Sequence, residues 1–138
     1  MKTYTIKEIS EAFNLPSSTL RYYEDIGLLT NVSRTPNNQR IYTEEHVNRL
    51  RGITCFKNTG LPISKMQDFF HYEENIPEHI DDIIGLVSEH EFFIQVQLEK
   101  MQSDLLHIHQ KVSFYRGIKE AMESGNPWPC WDDYSLES

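Results

Sequence analysis

The side chains of this 138-residue chain that are equipped for chemistry fall into three groups: two cysteines, six histidines, and a set of arginines and tyrosines between positions 21 and 42. Cys55 and Cys130 are far apart in sequence and form no CxxC pair, so each is read as a free thiol in a reducing compartment. Arg51, four residues before Cys55, and Lys57 would favour the thiolate, the reactive form, at Cys55. The alternative for Cys55 is a small apolar filler between helices. Cys130 stands among Trp128, Trp131, Asp132 and Asp133, and the acids disfavour a thiolate there. His107 and His109 are two residues apart, about 200° around a helix, and cannot chelate one ion from one face. The six histidines are assigned to surface or interface, and neither metal nor cofactor is expected. No Ser/His/Asp or Cys/His arrangement, phosphate-cradling glycine loop or paired-carboxylate pocket is visible, so no catalytic residue and no enzyme is expected. Arg34, Arg40 and Tyr42, set around a Thr-Pro-Asn-Asn-Gln loop, are residue types that grip phosphate oxygens.

The overall charge argues against a phosphate partner. Thirteen Lys and Arg face 21 Asp and Glu, a net charge of -8. Split by position, residues 1–60 carry eight bases against six acids, a net +2, and residues 61–138 carry five against fifteen, a net −10. Such asymmetry between halves points to two jobs. An apolar share of 38% suffices for a modest core and argues against wholesale disorder. There is no long apolar run and no apolar leader after Met1, so no membrane partner and a cytoplasmic, nucleoid-associated location are expected.

The elements that must position these residues are mostly helical. Thr5 and Glu8 have capping-box spacing, and Ile6, Ile9 and Phe13 follow at helical steps over residues 5–13. Asn14-Leu15-Pro16 interrupts, with Asn suited to the left-handed backbone of a tight turn. Ser17 or Ser18 is expected to cap a second helix ending near Ile26, with Gly27 as its terminator. Two short helices about three residues apart have helix-turn-helix spacing, which any small helical hairpin shares. Residues 30–42 read as a hairpin with Asn37-Asn38 at its tip. Thr43 starts a third helix to about Asn58 carrying Val47, Leu50, Ile53 and Phe56, and Ser64 is expected to cap a short fourth helix before a boundary at Asn75-Ile76-Pro77. The predicted organisation is a globular head over residues 1–75, one long helix over 76–124 and a tail over 125–138.

The long helix carries a heptad seam. Ile80, Ile84, Val87, Glu91, Ile94, Leu98, Met101, Leu105, Ile108, Val112 and Tyr115 follow steps of four and three, and only Glu91 is polar. A helix from about Glu78 to about Ser124 would be roughly 70 Å long and needs a partner. A parallel, in-register pair would set Glu91 against its own copy, whereas an antiparallel pair centred near Leu98 sets it beside residues 104 to 106 of the other chain. A homodimer through an antiparallel coiled coil is therefore expected. The fourteen residues after Ser124 are too few for a ligand-binding domain and are expected to form a Trp-rich flap.

The segment Ser18-Thr19-Leu20-Arg21-Tyr22-Tyr23-Glu24-Asp25-Ile26-Gly27-Leu28-Leu29 closely resembles the TLRYYE-x-x-GLL signature of the MerR family of bacterial transcription regulators. The resemblance continues through Arg40-x-Tyr42, Leu50-x-x-Ile53, Thr59-Gly60-Leu61-Pro62-Ile63 and Lys111-x-x-x-Tyr115, covering about residues 3–116. It implies a mostly α winged helix-turn-helix protein with a small β-hairpin wing. Its homodimer would sit on a near-palindromic promoter with an overlong spacer and distort the DNA so that RNA polymerase engages both promoter elements. By position it implies a DNA-facing set of Thr5, Ser17, Ser18, Thr19, Arg21, Tyr22, Arg34, Arg40 and Tyr42. Leu20 and Tyr23 are read as core. Two positions depart from the pattern: Gln39 stands where an aromatic residue precedes the wing Arg, and Asn14 where the turn carries Gly. The segment Ile53–Gly60 resembles the branch sensing aldehydes and other thiol-reactive electrophiles, with a cysteine at the place of Cys55. The competing function is a coiled-coil adaptor whose helix-turn-helix no longer binds DNA.

Overall fold

The computed structural model describes residues 1–134. Two compact units form along the chain, Met1–His90 and a second beginning at Glu91. The first unit opens with β1 (Thr3–Thr5), α1 (Ile6–Phe13) and α2 (Ser17–Asp25). The wing strands β2 (Ser33–Arg34) and β3 (Arg40–Thr43) follow, then α3 (Glu44–Asn58) and α4 (Ile63–Glu73). Helix α5 (Ile76–Ser124) begins in this unit, with a non-helical residue at His79 (φ -116, ψ 16).

Local chemistry sets the boundaries. The Thr5 hydroxyl accepts from the Glu8 amide at 3.1 Å and the Glu8 carboxylate accepts from the Thr5 amide at 2.9 Å, so the expected capping box starts α1. Asn14 ends it in the left-handed region (φ 51). Gly27 (φ 81) terminates α2: its amide donates to the Glu24 carbonyl and Leu28 to that of Tyr23, which satisfies two of the helix's last carbonyls. Two expected caps are corrected. Pro16 and Pro62, not Ser17 or Ser18 and Ser64, precede α2 and α4, and neither helix has a side-chain cap. Proline's fixed φ already pre-forms a helix entry, which moves all three serines inside the first turn.

The wing contains one strand more than expected. β1 pairs antiparallel with β3, Tyr4 opposite Tyr42, and β3 pairs antiparallel with β2, Arg34 opposite Arg40, giving the order β1-β3-β2. The core of the unit joins Ile9, Leu20, Tyr23, Leu28 and Leu29 to Tyr42, Val47, Leu50, Ile53, Leu61, Met66 and Phe70, with Leu86 of α5 packed against them. Each fully buried leucine contributes about 1.5–3 kcal/mol, so Leu50→Ala, with a cavity added, should cost about 2–5 kcal/mol.

In the second unit the chain after α5 turns back on the helix through a 3-10 turn (Trp131–Asp133). Trp131 meets Phe114 edge-on at 5.3 Å and His107 at 5.9 Å, Lys111 lies over its ring at 5.1 Å, and Tyr134 also meets Phe114. Residues 135–138 of the expected tail lie outside the described residues. Two histidines correct the surface assignment: His46 and His90 are buried.

Candidate nucleic-acid interface

Helix α2 is anchored by one face and open on the other. Leu20 and Tyr23 are buried, as read from the sequence, while Ser18, Arg21 and Tyr22 are exposed and Ser17 and Thr19 half-exposed. The three-residue turn before it is held by the Leu15 amide donating to the Ser10 carbonyl at 3.0 Å and by the Ser10 hydroxyl bonding back to the Leu15 carbonyl. Thr5 is also exposed, its hydroxyl engaged as the α1 cap.

The wing tip is built by a turn over Thr35–Asn38, with Pro36 second and Asn38 left-handed (φ 63). It brings Arg34 and Arg40 side by side and both against Glu24 of α2. Arg40 Nε donates to Glu24 Oε2 at 2.6 Å, and Arg34 Nη2 lies 3.6 Å from Glu24 Oε1. That hydrogen bond holds the Arg40 guanidinium above its ordinary pKa. Sequence spacing does not reveal this pairing, because Glu24 is 16 residues from Arg40 and on another element.

Tyr42 is not where the sequence placed it. Its side chain is fully buried (0% exposed), edge-on to the His46 ring at 5.7 Å, and its hydroxyl has no hydrogen-bond partner. Strand alternation explains this: on β3 every second residue turns to the core, so the hydroxyl cannot meet phosphate. Burial raises its phenol pKa. His46 fixes the same corner. Its Nδ1 accepts from the Thr43 amide at 2.9 Å, so Nε2 carries the hydrogen given to the Thr30 carbonyl at 2.7 Å.

Cys55 lies exposed on the last turn of α3, against the filler reading. Its carbonyl accepts from the Thr59 hydroxyl at 2.7 Å, and that hydroxyl oxygen also meets His90 Nε2 at 2.8 Å. Thr59 has one proton, and giving it to Cys55 requires His90 to donate from Nε2. Cys130 is exposed too. Of the seam residues, Ile94 is half-buried and Ile80, Ile84, Val87, Leu98, Met101, Leu105, Ile108, Val112 and Tyr115 are exposed. Among the described residues no helix is long and apolar enough to cross a membrane, and no cluster of His, Cys, Asp or Glu could hold a metal ion.

A helix-turn-helix with one outward helical face, flanked by a three-stranded wing bearing arginines, defines a winged helix-turn-helix DNA-binding module. The particular family follows from comparison: residues 4–73 match the model of the MerR HTH family of regulatory proteins, and the chain belongs to that family as a DNA-binding transcription regulator. It is 26% identical over 117 residues to an uncharacterised HTH-type transcriptional regulator of Haemophilus influenzae, covering 85% of this chain and 87% of that one. It is 36% identical over 64 residues to the HTH-type transcriptional regulator AdhR of Bacillus subtilis, 46% of each chain. Its fold is similar to that of HiNmlR, a MerR family regulator lacking the sensor domain and bound to promoter DNA, with a TM-score of 0.80 at 24% identity over 99% of this chain and 98% of that one.

Proposed function

We propose that two copies of this chain join through α5 as an antiparallel coiled coil and dock α2 of each head in the major groove of a near-palindromic promoter. Residues 1–75 act as the head, 76–124 as the dimerisation helix and 125–138 as the tail. The pair bends and untwists an overlong spacer so that RNA polymerase engages both promoter elements, working in the cytoplasm at the nucleoid. The observation that carries this reading is the geometry of α2: Leu20 and Tyr23 hold it in the core while Ser18, Arg21 and Tyr22 face outward. The proposed DNA-facing set is Thr5, Ser17, Ser18, Thr19, Arg21, Tyr22, Arg34 and Arg40.

Charge along α5 supports the antiparallel alignment. Residues 76–91 carry Glu78, Asp81, Asp82, Glu89 and Glu91 and no Lys or Arg, while residues 105–119 carry Lys111, Arg116 and Lys119 and no Asp or Glu. An antiparallel pair centred near Leu98 lays the acidic segment of one chain along the basic segment of the other. A parallel pair would set like on like, which is unfavourable.

Thiol-reactive electrophiles are the proposed effector class, with Cys55 as their target: it is exposed, and its carbonyl shares Thr59 with His90 of α5. A gel shift with the promoter of its own gene tests the DNA reading. The wild-type protein should shift it, Arg21→Ala should weaken binding about tenfold or more, and no shift by either would return the adaptor reading. Mass spectrometry after limiting aldehyde or alkylating agent tests the effector. Modification of Cys130 with Cys55 untouched would refute it.

A further inference from the structure

The wing arginines are not free in this structure, and their common partner has no assigned role. Both carboxylate oxygens of Glu24 are occupied, Oε2 by Arg40 Nε at 2.6 Å and Oε1 by Arg34 Nη2 at 3.6 Å. The two contacts differ in kind. Arg40 and Glu24 are mostly covered, with side chains 19% and 22% exposed, and their hydrogen bond is short. Arg34 is 38% exposed and at ion-pair distance only, with a second, long bond of 3.5 Å from Nη1 to the Asn38 carbonyl. A solvent-facing pair of the second kind contributes little and yields readily to a stronger anion. A phosphate, which guanidinium can grip through two parallel hydrogen bonds, is such an anion.

We infer that Glu24 is a specificity-determining counter-ion: it holds Arg40 as the strut between recognition helix and wing, and it holds Arg34 in reserve, surrendering it only to a phosphate in register with the docked α2. This inference rests on the DNA-binding reading. It separates two arginines that the sequence treats alike. Arg40, kept on the DNA-facing side, positions the wing, and Arg34 makes the phosphate contact that Glu24 controls. An internal carboxylate beside Arg34 also lowers the affinity of the head for any passing backbone, since every unmatched phosphate must compete with it. Off-register DNA pays that competition without the return of the groove contacts, so the ratio of specific to non-specific binding rises.

The test is Glu24→Gln in the full-length protein. The glutamine oxygen still accepts from Arg40 Nε, which keeps the strut, while the charge that retains Arg34 is gone. Binding is measured to a random-sequence duplex and to the promoter of its own gene, from about 50 to about 200 mM salt. Each newly released arginine should steepen the salt slope on random duplex by about 0.9, an additional three- to fourfold fall in affinity across that range. Random-duplex binding should tighten at low salt, and the promoter-to-random ratio should fall. Glu24→Gln combined with Arg34→Ala should restore the wild-type slope. Asp25→Asn makes the same formal charge change one residue along and should leave the slope near wild type. Equal effects of Glu24→Gln and Asp25→Asn would reduce the result to net charge and overturn the inference, as would an unchanged slope in Glu24→Gln. Circular dichroism checks that each variant is folded. If the wild-type protein prefers promoter to random duplex and Glu24→Gln keeps that ratio and slope, only the counter-ion role fails. If the wild-type protein binds neither, the DNA-binding reading fails with it.

Discussion

The dimer seam is open to a quantitative test at its centre. Leu98 is 56% exposed in the single chain, so a partner helix has that fraction of the side chain left to cover. Truncation to alanine removes three carbons at about 0.8 kcal/mol each, about 2.4 kcal/mol for a side chain fully covered. Scaled by the exposed fraction, that is about 1.3 kcal/mol. The change falls on both chains of a symmetric dimer, so the total is about 2.7 kcal/mol, and at 1.4 kcal/mol per decade the dissociation constant should rise about 100-fold. Alanine has the highest helix propensity, so α5 itself should not weaken. The contrast is Gln102→Ala, an exposed position off the seam, which should change dimerisation little. Sedimentation equilibrium across a dilution series reads both constants. A wild-type protein that is monomeric at tens of micromolar, or a Leu98→Ala constant within about threefold of wild type, would refute the assignment of this stripe to a dimer interface.

Three further outcomes are expected. In a background with Cys55→Ser and Cys130→Ser, Ile84→Cys chains should fail to form a disulfide with each other under mild oxidation but should link to Val112→Cys chains; efficient Ile84→Cys self-linking would mean a parallel pair. Tyr23 and Tyr42 have phenol pKa values raised above 10.0 by burial, so the folded state keeps protons that the unfolded chain releases. Their contribution is complete below about pH 10 and is lost as the pH rises from there through the raised folded values, so on their account the urea midpoint should hold from about pH 8 to about pH 10 and fall above about pH 10. Tyr42→Phe removes one of these phenols and a buried hydroxyl without a partner, so it should flatten that decline and hold or raise neutral-pH stability by about 1 kcal/mol; a loss of more than that would show the hydroxyl to be satisfied. At Gly117 an added Cβ would sit 2.8 Å from the Tyr134 hydroxyl and 3.2 Å from Pro129, so Gly117→Ala should leave α5 intact and shift the returning tail, read as a red shift in Trp131 fluorescence; unchanged emission would place the tail contact elsewhere.

What the sequence discloses about this chain is what is decided within a few residues. The Thr5–Glu8 box, the left-handed Asn14 and the Gly27 terminator each depend on neighbours at most five positions away, and each stands as read. Leu20 and Tyr23 could be assigned to the core because helical period separates them from Ser18, Arg21 and Tyr22. Two of the misreadings, the missed first strand and the DNA-facing reading of Tyr42, have non-local causes. Strand β1 is three residues long and exists because β3, about 38 positions on, supplies its partners. Tyr42 carries a polar tip, and only the register of β3 over His46 decides that this tip goes inward. The serine caps failed for a local reason of another kind: proline before the helix had already set the entry geometry, leaving no role for a hydroxyl at the next position. The link from Glu24 to both wing arginines has no period or spacing that would announce it, since it depends on the angle at which the hairpin folds back on α2.

That link changes how the head's charge should be counted. Eight bases against six acids in residues 1–60 is a small surplus to begin with. Arg34 and Arg40 face Glu24, and Arg49 is turned inward, its guanidinium 4.2 Å from the centre of the Phe70 ring and its Nε donating to the Leu28 carbonyl at 2.5 Å. Burial lowers the pKa of Arg49, the direction expected for a cation taken from water and not for one held ready for phosphate. These three of the eight bases are therefore tied to other groups of the head, Arg51 also bonds to Asn48 and Lys2 lies over the Tyr4 ring, and the acidic second half adds no attraction. Counterion release from so few phosphate contacts gives a shallow salt slope, about 0.9 per contact. Under the proposed function, affinity for a promoter then rests on Arg21 and its neighbours on α2 and on the pairing of two heads at a fixed spacing. A dimer-weakened variant such as Leu98→Ala, assayed below its raised dissociation constant, should consequently lose promoter affinity out of proportion to any loss on random duplex, and a parallel fall on both would show that simple charge attraction carries the binding.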